Sequence, residues 1–110
     1  MAKTRLQTEL KVLFILTGGD VGTNPSEEDT ATISGYIDSV VAELASDLIY
    51  LDGDAIEDDI FVTFCKLVAQ AAAEEYGGKA DEKASQALRN RIRQIRHPIP
   101  GYGPQETNYF

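Results

Sequence analysis

Several short stretches of this 110-residue chain bring together residue types that do chemistry elsewhere. GGDVGTN, residues 18–24, is glycine-rich in the manner of a phosphate-binding loop. Such loops follow a strand, open a helix and end in a lysine and a hydroxyl residue, so that backbone N–H groups cradle the phosphate. Here the stretch follows a helical pattern, lacks that ending and carries Asp20, which repels phosphate. DGDAIEDD, residues 52–59, has the aspartate density of a calcium loop, but its glycine and its glutamate fall at the wrong spacings. Helix capping accounts for these acids better. Asp58 and Asp59 are paired carboxylates in an already acidic segment, and His97, the single histidine, abuts Pro98 without a visible partner. Cys65 lies among Phe61, Phe64 and Val68 at helical spacing, the setting of a small core residue rather than of a nucleophile. No cofactor, metal site or enzymatic activity is expected.

The elements that would position these residues are helical. The first spans about residues 4–17, with Leu6, Leu10, Leu13 and Phe14 at helical spacing and Gly18-Gly19 suited to its C-terminal cap. Asn24-Pro25 opens a second, with Glu27, Glu28 and Asp29 at the positive end of its dipole. Its stripe of Ile33, Ile37, Val40, Leu44 and Leu48 predicts a central helix to about residue 50. Asp54, with Glu57 three positions on, predicts the cap of a third helix, whose apolar face includes Ile56, Ile60, Phe64, Leu67, Val68 and Ala71 and which Gly77-Gly78 ends. A fourth spans about residues 81–96, with Ala84, Leu88, Ile92 and Ile95 on one stripe and Arg89, Arg93 and Arg96 beside it. The fold class expected is all-α. Residues 1–97 form a compact four-helix bundle, and residues 98–110 an extended C-terminal arm that Pro98 and Pro100 keep from being helical. Leu44 and Leu48 are expected to pack on Phe64, Leu67 and Val68.

No apolar run approaches the roughly 20 residues that span a bilayer, and the first ten residues lack the pattern of a secretory signal. With a single cysteine, no internal disulfide is possible, which fits synthesis in a reducing cytosol. The net charge of −8 is unevenly spread. Residues 12–78 hold fourteen acidic residues against Lys66 alone, whereas residues 79–97 hold six basic and two acidic. A basic segment on an acidic body suits self-association or contact with nucleic acid, and it also suits plain solvated helix faces.

The order of a short first helix, a glycine loop, a proline and then PSEEDTATISGYIDSVVAELASDLIYLDGDAIEDDIFVTFCKLVAQAAAEEYGG resembles the head-to-tail adaptor family of tailed phages. The resemblance rests on Ser26 to Asp29 opening the long helix, on Asp38 to Leu44, on the acidic turn from Asp52 to Glu57, and on Leu67 to Gly77. It covers nearly the whole chain, including a closing basic helix and a tail ending in Tyr109-Phe110. The first helix departs from it, with Lys11-Val12-Leu13-Phe14 where the family pattern has an alanine-leucine pair.

The resemblance implies a structural virion protein and not an enzyme. Such adaptors form a homo-oligomeric ring, usually of twelve copies, under the portal protein in the neck between head and tail. The ring extends the channel through which DNA passes without sequence-specific binding, and it docks a tail or nozzle protein. Localisation would be the virion, after synthesis in the host cytoplasm, with no membrane partner. A ring joins one surface to a different surface of the next copy, so Arg89, Arg93 and Arg96 are expected to meet Asp38, Glu43 and Asp47 of a neighbour. Pro98, Pro100, Tyr102, Tyr109 and Phe110 are expected to form a portal-binding arm, with aromatic anchors on a stiffened backbone. The alternatives are a small helical DNA-binding regulator, in which Arg89, Arg91, Arg93 and Arg96 contact phosphates, and a protein-interaction module of a toxin-inhibitor kind.

Overall fold

The computed structural model of the chain describes residues 2–17 and 27–96. Helix α1, Arg5–Leu16, begins at a capping box: the Gln7 N–H donates to Thr4 Oγ1 at 3.2 Å, and the Thr4 N–H donates to Gln7 Oε1 at 2.8 Å. Two of the helix's orphan donors are thereby satisfied. Helix α2 is Glu27–Ser46, about 30 Å long at 1.5 Å per residue. Helix α3, Phe61–Ala72, tightens into a 3₁₀ turn, Ala73–Tyr76, and helix α4 is Glu82–Arg96. Asp81 caps α4, its Oδ1 accepting from the N–H groups of Lys83 and Ala84 at 3.0 and 3.2 Å. The fold is therefore all-α, as its periodicity implied.

Helix α3 lies against α1, α2 and α4, and its wide buried face explains why. Phe64, Cys65, Leu67, Val68, Ala69 and Ala72 are all buried there. They share one core with Val12 and Leu13 of α1, Ile33, Ile37, Val40 and Leu44 of α2, and Ile92 of α4. Ile49, Ile56 and Ile60 close the core from the segment between α2 and α3.

That segment departs from the sequence reading twice. Helix α2 ends at Ser46, a turn short of residue 50, and Leu48 is exposed rather than packed on α3. The Leu48 N–H donates to the Ala45 carbonyl at 3.0 Å and the Ile49 N–H to the Leu44 carbonyl at 2.9 Å. This is a Schellman ending, with Leu48 in the left-handed conformation at φ 65° and Ile49 turned inward beside Leu44. The buried position of the stripe passes to Ile49.

Further on, no capping box forms at Asp54 and Glu57. Ala55–Ile56 (β2) pairs antiparallel with Lys3–Thr4 (β1), with Lys3 opposite Ile56 and Thr4 opposite Ala55. Asp54 is drawn away by Arg5, whose Nε donates to Asp54 Oδ1 at 2.8 Å. The third helix consequently starts at Phe61, and Ile60 at its N-cap supplies no side-chain hydrogen bond.

Helix α1 is also rotated from expectation. Of its predicted inner stripe only Leu13 is buried, while Leu6, Leu10 and Phe14 face outward and Thr8, Glu9 and Val12 face the core. The apolar residues of α1 cover most of its circumference, so periodicity alone does not fix which face turns inward. Arg5 fixes it. Its guanidinium also reaches Asp38 at 2.9 Å and Ser34 Oγ at 3.1 Å on α2, which turns the face bearing Arg5, Thr8 and Val12 toward the bundle. Ala71 of α3 is likewise exposed.

Candidate interaction site

The arginine and carboxylate stripes meet within one chain. Arg89 Nη2 lies 3.0 Å from Glu43 Oε1, and Arg93 Nη2 lies 3.4 Å from Asp47 Oδ2. Both partners advance by one helical turn in the same direction, so α4 and α2 run parallel along this seam. Arg96 turns to Asp59 at 3.6 Å, and Asp38 belongs to Arg5. The geometry thus joins α4 to its own α2 through Arg89 and Arg93. A contact between copies through these residues would have to exchange these pairs.

Arg5 was not singled out in the sequence, although it ties together three elements. Its side chain bridges the start of α1, the middle of α2 and the acidic turn before α3. The Asp54 hydrogen bond is the main reason its guanidinium is held more firmly protonated than usual, with Asp38 adding to it. The guanidinium packs so closely on the turn that a Cβ at Gly53 would stand 3.1 Å from Nη2. A lone arginine at a helix start, opposite an Asp-Gly-Asp turn, was the available signal.

Of the residues considered for chemistry, Asp52, Asp54 and Cys65 have structural duties. Asp52 Oδ1 accepts from the Asp54 N–H at 2.9 Å, and Asp54 pairs with Arg5. Burial pushes the Cys65 thiol up to about 12, which removes the thiolate that a nucleophile needs. Among the described residues, no group of three or more His, Cys, Asp or Glu side chains is placed to hold a metal ion. Two tyrosines hold α2 to the turn after α3: Tyr36 Oη donates to Glu75 at 2.7 Å, and Tyr76 Oη donates to Asp29 at 3.3 Å. Desolvation, aided by Asp29, pushes the Tyr76 phenol up to about 12.

The surface that stands out is the outer face of α1. Leu6, Leu10 and Phe14, one helical turn apart, are 57%, 37% and 49% exposed. Lys11 Nζ lies 5.1 Å from the Phe14 ring centre, and Lys3 Nζ lies 5.7 Å from that of Phe61. Together Lys3, Gln7, Leu10, Lys11, Phe14 and Phe61 line a shallow hollow of about 380 Å³. A second exposed apolar feature lies at the end of α2, where Leu48 and Tyr50 are 66% and 72% exposed.

The portal-binding residues expected from sequence, Pro98, Pro100, Tyr102, Tyr109 and Phe110, lie outside the described residues, as do His97 and the glycine loop at 18–24. No helix among the described residues is long and apolar enough to cross a membrane. Comparison of the chain with protein families, with curated proteins and with solved structures finds no match.

Proposed function

We propose that this chain is a structural assembly protein, a head-to-tail adaptor whose copies form a ring under a viral portal. The observation that carries the reading is the row of large apolar side chains, Leu6, Leu10 and Phe14, held outward on an otherwise acidic four-helix domain. Contiguous exposed apolar surface costs solubility and marks places where another protein sits. The order of helices and the quoted motifs supply the particular assembly. Fourteen acidic residues between positions 12 and 78 suit the wall of a DNA channel, because negative charge repels the phosphate backbone and lets DNA slide. The C-terminal arm with Tyr102, Tyr109 and Phe110 supplies the portal contact, and the opposite end of the ring receives a tail or nozzle protein.

The DNA-binding alternative is less well supported. Arg89, Arg93 and Arg96, three of the four arginines it needs, are engaged by Glu43, Asp47 and Asp59. Native mass measurement of the chain mixed with a candidate portal protein separates the readings. The adaptor reading requires portal-sized particles that gain several copies of this chain. A chain that ignores the portal and instead binds duplex DNA with steep salt dependence, or forms a one-to-one complex with another protein, overturns it.

A further inference from the structure

A groove of about 750 Å³ lies between the last turn of α1, the end of α3 and the start of α4. Ile15 and Leu88 line it half-buried, and at Ala69, Ala73 and Ala84 short side chains leave it unfilled. At one end the chain turns sharply toward Lys79. The Gly77 N–H donates to the Glu74 carbonyl at 3.3 Å and the Gly78 N–H to the Ala73 carbonyl at 2.8 Å, a Schellman ending with Gly77 at φ 84°. Of the polar side chains along the groove, Gln70 accepts from the Asp81 N–H at 2.8 Å and Tyr76 donates to Asp29. That leaves Lys66 and Lys79. Neither forms an ion pair among the described residues, and Lys66 is the single basic residue between positions 12 and 78.

An apolar groove with two lysines, in a chain of net charge −8, fits an occupant that brings bulky apolar side chains and a carboxylate. Residues 97–110 have that composition. They carry Ile99, Tyr102, Tyr109 and Phe110, their one acid is Glu106, and they contain no lysine or arginine. The glycine loop at 18–24 offers no aromatic side chain. Length fits as well. From Arg96, the end of α4, Leu88 lies about 12 Å back along the helix and Ala84 about 18 Å. An extended run from His97 spans about 19 Å to Tyr102 and about 31 Å to Glu106, which carries Glu106 past the start of α4 to the end where Lys79 stands. A segment joined to its own groove also acts at an effective concentration of about millimolar, above that of a free partner. We propose that residues 97–110 turn back along α4 and seat in this groove of their own copy, with Tyr102 beside Leu88 and Ala84 and Glu106 facing Lys79. The proposal rests on the assembly reading above and adds its regulation. The free chain holds its arm on its own body, and the portal must draw Tyr102 out to engage it. Copies in solution thereby keep their aromatic anchors covered.

The chain contains no tryptophan, so Tyr102→Trp in the full chain supplies a single fluorescent reporter of the seat. Its emission should be blue-shifted from that of a peptide of residues 97–110 with the same substitution, and shielded from acrylamide at every protein concentration. Ala87 lines the groove and is exposed, so a larger side chain there fills the groove without disturbing the core. Ala87→Phe added to the reporter chain should return the emission to that of the peptide. Ala87→Phe alone should strengthen portal binding about tenfold, because no copy then has to release its arm first. Glu106→Lys should reduce the shielding, and Lys79→Glu added to it should restore it. Emission like that of the peptide overturns the seat, as does a blue shift that Ala87→Phe leaves unchanged. Shielding that appears only as protein concentration rises overturns it in favour of a neighbouring copy's groove. Unstrengthened portal binding in Ala87→Phe overturns the regulation. An exposed reporter in a chain that binds portal removes the seat and leaves the adaptor reading intact. A shielded reporter in a chain that ignores portal keeps the seat and removes the adaptor reading.

Discussion

Leu48 and Gly77 occupy the same position in two Schellman helix endings, at φ 65° and 84°, and only one of them is a glycine. A left-handed conformation costs a branched side chain about 1–2 kcal/mol that glycine does not incur, although glycine loses more entropy on folding. Leu48→Gly should therefore stabilise the isolated chain by about 0.5–1 kcal/mol, read from urea unfolding. Gly77→Ala should destabilise it by about 1 kcal/mol through backbone strain alone, because an added Cβ at Gly77 would meet nothing within 4 Å. Equal or opposite shifts would contradict the assigned geometry.

Leu44 and Leu48 lie one turn apart in sequence but have opposite surroundings. Leu44 is fully buried among Ile37, Phe64 and Val68 in the shared core, so Leu44→Ala should cost about 2–5 kcal/mol. Leu48→Ala should change stability by no more than about 0.5 kcal/mol, since its side chain is exposed. Thermal melting of the two variants distinguishes this arrangement from a helix that continues to residue 50.

The core-facing stripe of α2, the all-α class and the ends of α4 were legible in the sequence because period and caps agree there. Ile33, Ile37, Val40 and Leu44 have polar neighbours on the other faces, and Asp81 is a strong cap. In α1, where Leu6, Leu10, Val12, Leu13 and Phe14 leave no unique inner face, a distant ion pair decided the rotation. The end of α2 was misread for a related reason: Leu48 continues the period, whereas the chain turns so that Ile49 replaces it. Of the six charged residues expected to make a contact between copies, Arg89, Arg93, Glu43 and Asp47 pair within one chain, while Arg96 and Asp38 take other partners. Sequence alone does not say whether two complementary stripes belong to one copy or to two.

The Arg89–Glu43 and Arg93–Asp47 pairs sit at the surface, where each contributes about 0.2–1 kcal/mol. Changing both arginines to glutamate should leave the helical content intact and lower stability modestly, by about 1–2 kcal/mol at low salt, with the deficit shrinking as salt is added. Assembly on the portal, read by native mass, should persist in this variant. Assembly lost without any change in melting would place a subunit contact at the seam.

Alkaline pH should loosen the fold at identifiable groups. Tyr76 and Cys65 both keep their protons more firmly when folded, each to about 12, mainly through desolvation. A raised folded value means that the folded state binds more protons above the unfolded value, so stability falls as pH rises. The stability tied to Cys65 is complete below about pH 9 and that tied to Tyr76 below about pH 10, and both are lost toward pH 12. Tyr76→Phe should remove its share of the loss, flattening the profile above pH 10 while leaving the Cys65 share. An unaltered profile in that variant would show that the Tyr76 phenol is not desolvated by the fold.

Electron microscopy of the portal protein mixed with the full chain, and with a chain ending after Arg96, tests the adaptor reading most directly. The full chain should add a ring of density to one end of the portal and continue its axial channel. The shortened chain should keep its helical content but leave the portal bare, because Tyr102, Tyr109 and Phe110 supply the anchors. A bare portal with the full chain would contradict the account.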